Sequence, residues 1–255
     1  KLAQTLRARS PDATDTLPTQ GVPAEVRPLL DALNHLFART QEMMIRERRF
    51  TSDAAHELRS PLAALKVQTD VAQLSLDDPQ AQEKALSQLH AGIDRASRLV
   101  DQLLTLSRLD SLDNLEDVEP ITMADLLQSA VLDIWHPAQQ AGTDIRLNIH
   151  APEVTRTGQP LLMSLLVRNL LDNAIRYSPR GSVVEVTLDT RSFTVRDNGP
   201  GISPEALARI GERFYRPPGQ DATGSGLGLS IVKRIAALHG LRVSLNNAPE
   251  GGLEV

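Results

Sequence analysis

From Val26 to Leu76, apolar side chains return at steps of three and four residues, through Leu29, Leu33, Leu36, Met43, Phe50, Ala54, Leu58, Leu62, Leu65 and Ala72. That spacing keeps one stripe on the side of an α-helix and does not fit a strand, whose buried positions alternate. The pattern stops at Asp77-Asp78-Pro79, where proline suits the first turn of a new helix. A second stripe follows through Leu86, Leu89, Ile93, Ala96, Val100 and Leu103, with the alternating steps of a coiled-coil partner. Two arms joined by so short a turn form an antiparallel helical hairpin. Its seam is thin, so a second copy of the chain is predicted to complete a four-helix bundle.

Inside the first arm lies the only histidine followed directly by a carboxylate, His56-Glu57. At about 100° per residue, His56 sits roughly 200° around the helix from both Ala54 and Leu58. The stripe that buries those two therefore turns the imidazole outward. Most exposed histidines are no more than part of a solvated face. Here, however, Ser52 and Asp53 precede the pair and Arg59-Ser60-Pro61 follows it. A proline inside a helix removes a backbone hydrogen bond at a cost of about 3 kcal/mol, and its place one turn after His56 predicts a kink at a working position. Upstream, residues 1–9 read as helical and Ser10 to Pro23 as a connector rich in proline, threonine and aspartate. The first arm is then a relay rod that leads into His56.

The 255 residues, 41% of them hydrophobic, suffice for two folded units. A net charge of −5 without a basic stripe excludes a general nucleic-acid binder. There is no cysteine, hence no disulfide and no thiolate metal site, which fits a reducing compartment. The longest apolar run, Leu161 to Val167, is interrupted by Ser164 and falls far short of the roughly 20 residues that span a bilayer. The chain opens within a helical pattern and stops within a strand pattern, so it reads as an excised part of a longer protein.

Asp110 to Pro120 is acidic and aperiodic and is read as the linker. Beyond it the periodicity predicts a helix over Met123–Ala141, a strand over Ile145–Ile149 and a helix over Pro160–Tyr177. Strands over Val183–Leu188 and Ser192–Arg196, a helix over Ser230–His239 and strands over Arg242–Leu245 and Leu253–Val255 complete it. This is an α/β pattern, with an antiparallel or mixed sheet covered by helices on one face.

Four stretches of this second domain carry chemistry. Asn169 and Asn173 lie one turn apart on one helix face, with Arg176 and Tyr177 following. Amides amid Leu165, Leu166, Leu170 and Leu171 are costly unless they are satisfied, by a neighbouring loop or by a ligand. Asp197-Asn198-Gly199-Pro200-Gly201 sets a carboxylate at a strand end before a turn that lets backbone approach a ligand. That oxygen could accept from an exocyclic amine such as that of adenine, or the segment could be an ordinary turn. Gly224-Ser225-Gly226-Leu227-Gly228-Leu229 opens a helix, where backbone N–H groups and the positive dipole end suit phosphates. Between the two glycine motifs, Arg213-Phe214-Tyr215-Arg216-Pro217 and the loop from Pro218 to Thr223 read as a cationic lid. The other histidines are bland: His35 and His90 on helix surfaces, His136 near a helix break at Pro137, His150 after a strand, and His239 at a helix C-terminus, where a cation is favoured. None clusters into a metal site, and Trp135 is expected in the core.

Taken in order, these stretches resemble the cytoplasmic part of a sensor histidine kinase. The His56 stretch matches the phosphoacceptor box, the Asn169–Asn173 helix the N box, and Asp197 to Gly201 the G1 box. Arg213 to Pro217 matches the F box and Gly224 to Leu229 the G2 box. The resemblance implies a partial HAMP-like relay segment over 1–49, a dimerisation and phosphotransfer hairpin over 50–112, a linker over 113–120 and an ATP-binding domain over 121–255. The implied fold is an all-α hairpin, a four-helix bundle as a homodimer, followed by an α/β sandwich of the histidine-kinase and Hsp90-like ATPase type.

The resemblance further implies that His56 receives the γ-phosphoryl of Mg-ATP, with Glu57 as general base on the other ring nitrogen. Asn173 coordinates Mg²⁺, Asn169 and Arg176 contact phosphates, Tyr177 lies against adenine and Asp197 binds its amino group. Gly199 and Gly201 shape that turn, Arg216 belongs to the cationic lid, and Gly224, Gly226, Leu227, Gly228 and Leu229 close over the phosphates. Related ATPases of topoisomerases, chaperones and mismatch-repair proteins carry a glutamate where Asn169 stands, so hydrolysis in place is disfavoured here. Implied partners are a response regulator, of the OmpR class, and a second copy of the chain, in a protein anchored in a bacterial inner membrane with this part in the cytoplasm. At Ser60 the family usually has threonine or asparagine, which orients water for regulator dephosphorylation. Serine keeps the hydroxyl. An ATPase without phosphotransfer and an inactive regulator-binding scaffold are the rival readings.

Overall fold

The computed structural model of the chain describes Leu17, Pro23 and residues 26–112, 114–217, 224–249 and 251–255. The predicted helix over residues 1–9, most of the connector after it and the loop from Pro218 to Thr223 lie outside the described residues. The chain forms two compact units, the first ending at Ala64 and the second running from Leu65 to Val255. The boundary falls just past Pro61, within one helix.

That helix, α1 (Arg27–Leu74), has 48 residues, a rod of about 72 Å at about 1.5 Å per residue. It runs through Pro61 without a break in helical assignment. Phe50, Ala54, Leu58 and Pro61 are half-buried, whereas His56, Glu57, Arg59 and Ser60 are exposed, the facing expected from the periodicity. Helix α2 (Pro79–Ser111) starts as predicted: Asp78 is its N-cap and its carboxylate accepts the N–H groups of Gln80 and Ala81, both at 3.1 Å. Such a cap stabilises by about 1 kcal/mol.

Half of the predicted seam of α2 holds, with Leu103 buried and Leu89 and Ala96 half-buried, and the other half is displaced by one position. Ala85, Gly92, Leu99 and Leu106 are buried at seven-residue intervals, while Leu86, Ile93 and Val100 stay exposed. Gly92 explains the shift: a Cβ there would stand 2.7 Å from Leu65 Cδ2 of α1, so glycine lets the two helices approach. Larger side chains one position on are turned away from the intramolecular contact.

After α2 comes a short coil and then strand β1 (Glu119–Thr122), paired antiparallel with β3 (Thr155–Gly158) as a separate ribbon. Helix α3 (Met123–Ala141) spans the predicted residues and ends at Gly142, left-handed at φ 75°. Strand β2 (Asp144–Ile149) pairs parallel with β4 (Val183–Leu188), followed in sheet order by β5 (Phe193–Arg196), β7 (Leu253–Glu254) and β6 (Asn246–Asn247), all antiparallel. Helix α4 (Pro160–Tyr177) packs between α3 and α6 (Gly228–Leu238) and against β4 and β5. Its Leu166, Val167, Leu170 and Leu171 are buried, together with Val184, Val186 and Leu188 of the sheet and Ile231, Val232 and Ile235 of α6. A two-layer α/β core results, with α4 at its centre. A short helix, α5 (Pro204–Arg209), capped by Ser203, lies between β5 and α6.

Several expectations are corrected. Glu119 and Pro120 belong to β1 and Asp110 to α2, so the predicted linker shrinks to a few residues. Arg242–Leu245 is not a strand; the edge strand is β6, because its register is set by pairing with β7. Helix α3 continues past His136 through Pro137. Trp135 is 47% exposed and lies outside the core. β3 and α5 were not anticipated.

Candidate nucleotide site

The two asparagines project from α4 towards the start of α6. Asn169 is buried, and its amide Nδ2 donates to Leu165 O at 2.8 Å, one turn back. That bond satisfies the donor and leaves Oδ1 to face α6. Asn173, one turn on, is half-buried. A Cβ at Gly228, the first residue of α6, would stand 3.2 Å from Asn173 Nδ2 and 3.3 Å from Asn169 Oδ1. Glycine lets the N-terminus of α6 lie this close to the amides, where a Cβ would press on both side chains. Gly226 has φ 72°, and a Cβ there would meet the Phe214 carbonyl carbon at 2.7 Å, so the glycine loop is threaded against the segment Arg213–Pro217. In that segment Arg209 stacks its guanidinium 4.1 Å from the Tyr215 ring centre.

Asp197 closes the opposite end. It is 6% exposed, and its Oδ1 accepts the N–H groups of Gly199 at 2.8 Å and Leu253 at 3.0 Å. Burial pushes its carboxyl above the usual aspartate range, and the bonds from Leu253 and Gly199 pull in the other direction. The turn beyond is held by Asn247, whose Oδ1 accepts Ile202 N–H at 2.9 Å and whose Nδ2 donates to Ile202 O at 2.7 Å.

Between these ends lies a cavity of about 260 Å³. Asn169, Asn173, Arg176, Tyr177, Asp197, Gly201, Gly224, Gly226, Gly228 and Leu229, all anticipated from the sequence, line it together. Gly199, Leu227 and Arg216 do not line the cavity but each adjoins a residue that does. His56, Glu57 and Ser60 belong to the other unit, on the exposed face of α1. The sequence reading missed four lining residues on α2: Arg98, Asp101, Gln102 and Thr105. Their helical spacing, a polar strip between apolar stripes, was the available signal. It also missed Ser225 as a polar member of the glycine loop: its hydroxyl donates to Gln102 Oε1 at 2.6 Å and accepts Leu227 N–H at 3.2 Å.

His239 is tied into the fold at its helix end. Its Nε2 accepts Gln159 N–H at 3.1 Å while Nδ1 lies 2.8 Å from Ile235 O, so the ring holds the start of α4. Among the described residues, no three histidine, aspartate or glutamate side chains converge on a metal position, and no helix is long and apolar enough to cross a membrane.

The chain is similar to known proteins along its length. Residues 158–255 match the family described as histidine kinase-, DNA gyrase B- and HSP90-like ATPase. Residues 46–112 match the His Kinase A (phospho-acceptor) domain and residues 1–42 the HAMP domain of PhoQ-like sensor proteins. Sensor protein QseC of Salmonella typhi is 74% identical over all of this chain, which covers 57% of that protein. Sensor protein kinase PmrB of Pseudomonas aeruginosa is 41% identical over 98% of the chain and 53% of its own length. The chain thus spans little more than half of these curated relatives. The structure of histidine kinase ThkA in complex with response regulator protein TrrA aligns at TM-score 0.68 over 87% of this chain and 66% of that one, and at 20% identity it bears on the fold alone.

Proposed function

We propose, for a chain that belongs to the histidine kinases of two-component systems, that the α4–α6 cavity holds ATP and that His56 is the group its γ-phosphoryl is transferred to. The observation that carries the nucleotide reading is the meeting of three elements at one cavity: a buried carboxylate at one end, a helix N-terminus at the other and paired amides between. Asp197 would accept the adenine amino group, since both of its recorded bonds fall on Oδ1. Tyr177 would flank the ring, and the N–H groups at the start of α6 would face the phosphates. The donor set suits Mg²⁺, which takes one or two hard oxygens from protein and the rest from phosphate and water: Asn173, with Asn169 beside it, would hold it. When bound it would neutralise charge developing on the transferred phosphoryl.

The chemistry at the other end is nucleophilic. His56 is exposed on a rigid helix, so an imidazole nitrogen can meet a phosphoryl brought to it. Glu57, also exposed, would take the proton from the other ring nitrogen or hold it there as positive charge develops. The amide of Asn169 cannot take a proton from water, which disfavours hydrolysis within the cradle. Phosphohistidine would then pass its group to an aspartate of a response regulator of the OmpR class, and Ser60 could orient a water for the reverse duty. The exposed stripe Leu86, Ile93, Val100 suits a second copy of the chain, completing a four-helix bundle. A parent protein anchored in the inner membrane, with this portion in the cytoplasm, accords with the HAMP match.

Incubation of the chain with γ-labelled Mg-ATP tests the proposal. Acid-labile label on the protein is expected, with little free phosphate. Phosphate release from an unlabelled protein would establish a plain ATPase, and the absence of both a scaffold.

The buried carboxylate adds a pH dependence. An aspartate whose folded pKa is raised opposes folding when ionised, so its drag on stability is absent at low pH and grows as pH rises through the raised value. Ligand binding runs the other way, because adenine recognition needs the charged acceptor. ATP affinity should therefore begin to fall, on acidification, at a pH above the ordinary aspartate range. Asp197→Asn should flatten that profile while weakening ATP binding at neutral pH, measured by fluorescent-nucleotide titration across pH.

A further inference from the structure

The nucleotide cavity is bordered not only by the α/β layers but by one face of the second hairpin helix. Arg98, Asp101, Gln102 and Thr105 recur on α2 at helical spacing and line it. Two features place this face along the cavity. Gln102 receives the Ser225 hydroxyl of the glycine loop at 2.6 Å. One turn earlier, Arg98 lines the same cavity as Arg168, Asp172, Asn173 and Arg176 of α4. Glycine loop and asparagine helix together form the phosphate end of the cavity, so α2 passes that end rather than the Asp197 end.

The contact is anchored beyond the cavity. Arg234 of α6 donates to Leu109 O at 3.0 Å and Leu112 O at 2.7 Å, satisfying carbonyls at the C-terminus of α2. Arg213 donates to both carboxylate oxygens of Asp110, at 2.8 and 2.7 Å. The stretch of α2 that carries Arg98 is therefore held by bonds made further along the same helix.

We propose that Arg98 is a phosphate-binding residue of the nucleotide site, contributed by the helical hairpin and held in register by the Gln102–Ser225 bond. The inference rests on the cavity being the ATP site. A guanidinium remains charged at any working pH and presents paired donors to phosphate oxygens. Asp101, on the same face, carries the opposite charge, which makes the effect of each side chain separable.

The experiment is equilibrium binding of ATP and of adenosine to the full chain, for wild type, Arg98→Ala, Arg98→Lys, Gln102→Ala and Asp101→Asn, with thermal unfolding of each as the folding control. Arg98→Ala is expected to weaken ATP about tenfold at low salt and to leave adenosine unchanged; Arg98→Lys restores part of the loss, since a charge remains. Gln102→Ala, which leaves the guanidinium in place but frees the loop, is expected to weaken ATP to a lesser degree. Asp101→Asn should not weaken ATP. Equal losses for ATP and adenosine, an unchanged ATP affinity in Arg98→Ala, or a loss in Asp101→Asn as large as in Arg98→Ala would overturn the role of Arg98 while leaving the nucleotide site standing. A wild-type chain that binds neither ligand would overturn the site itself.

Discussion

His56→Ala abolishes acid-labile labelling from Mg-ATP, down to background, while the affinity for ATP stays at the wild-type value. The first half follows from chemistry, because alanine has no nucleophile and no nearby side chain on that face of α1 is another histidine. The second half follows from place: His56 is exposed on α1, in the unit ending at Ala64, and the cavity proposed to hold ATP belongs to the unit beginning at Leu65. Alanine is the better helix former, and surface substitutions of this kind shift stability by no more than about 0.5 kcal/mol. The variant should therefore unfold at the wild-type temperature. Persistent acid-labile label in this variant would move the phosphorylation site elsewhere.

Asn173→Ala is the second large effect, and it separates binding from transfer differently. The side chain is half-buried beside Asn169 and the first turn of α6, and its loss leaves a small gap without stranding a charge. The fold should survive. Transfer, however, depends on charge neutralisation at the phosphoryl, and with Asn173 in its proposed role of holding the Mg²⁺ that supplies it, the substitution should lower the labelling rate by roughly a hundredfold. Rapid-quench labelling at saturating Mg-ATP measures this. A rate within a few-fold of wild type would reassign the metal position to Asn169 or to the phosphates alone.

Much of this architecture could be read from residues whose effect is local. Helices α3 and α4 have their predicted bounds because Gly142 terminates one and Pro160 begins the other. The outward turn of His56 needed only the helical period. What escaped was whatever depends on a distant partner. β3, the polar run Thr155–Gly158, becomes a strand only because β1 pairs with it. The alternation of Arg242–Leu245 looks like a strand but finds no ladder, and β6 forms two residues later where β7 reaches it. Trp135 followed the apolar residues of α3 in sequence, yet stays largely in solvent. In the candidate site, ten cavity residues were legible from three motifs, whereas Arg98 and Gln102 were not, because the polar strip of α2 does not announce that a glycine loop over a hundred residues later docks there.

The unbroken course of α1 sets what a turn of the helix above His56 would do. Helix α1 is assigned helical at every residue from Arg27 to His56, with no coil to absorb torsion. A twist imposed at its upper end therefore reappears as a change in the azimuth of the imidazole, and an axial shift as a change in its height. One residue inserted above His56 would reset that azimuth by about 100°. On such a rod the imidazole stands as the pointer of a dial, and what a turn of the helix would move is an angle.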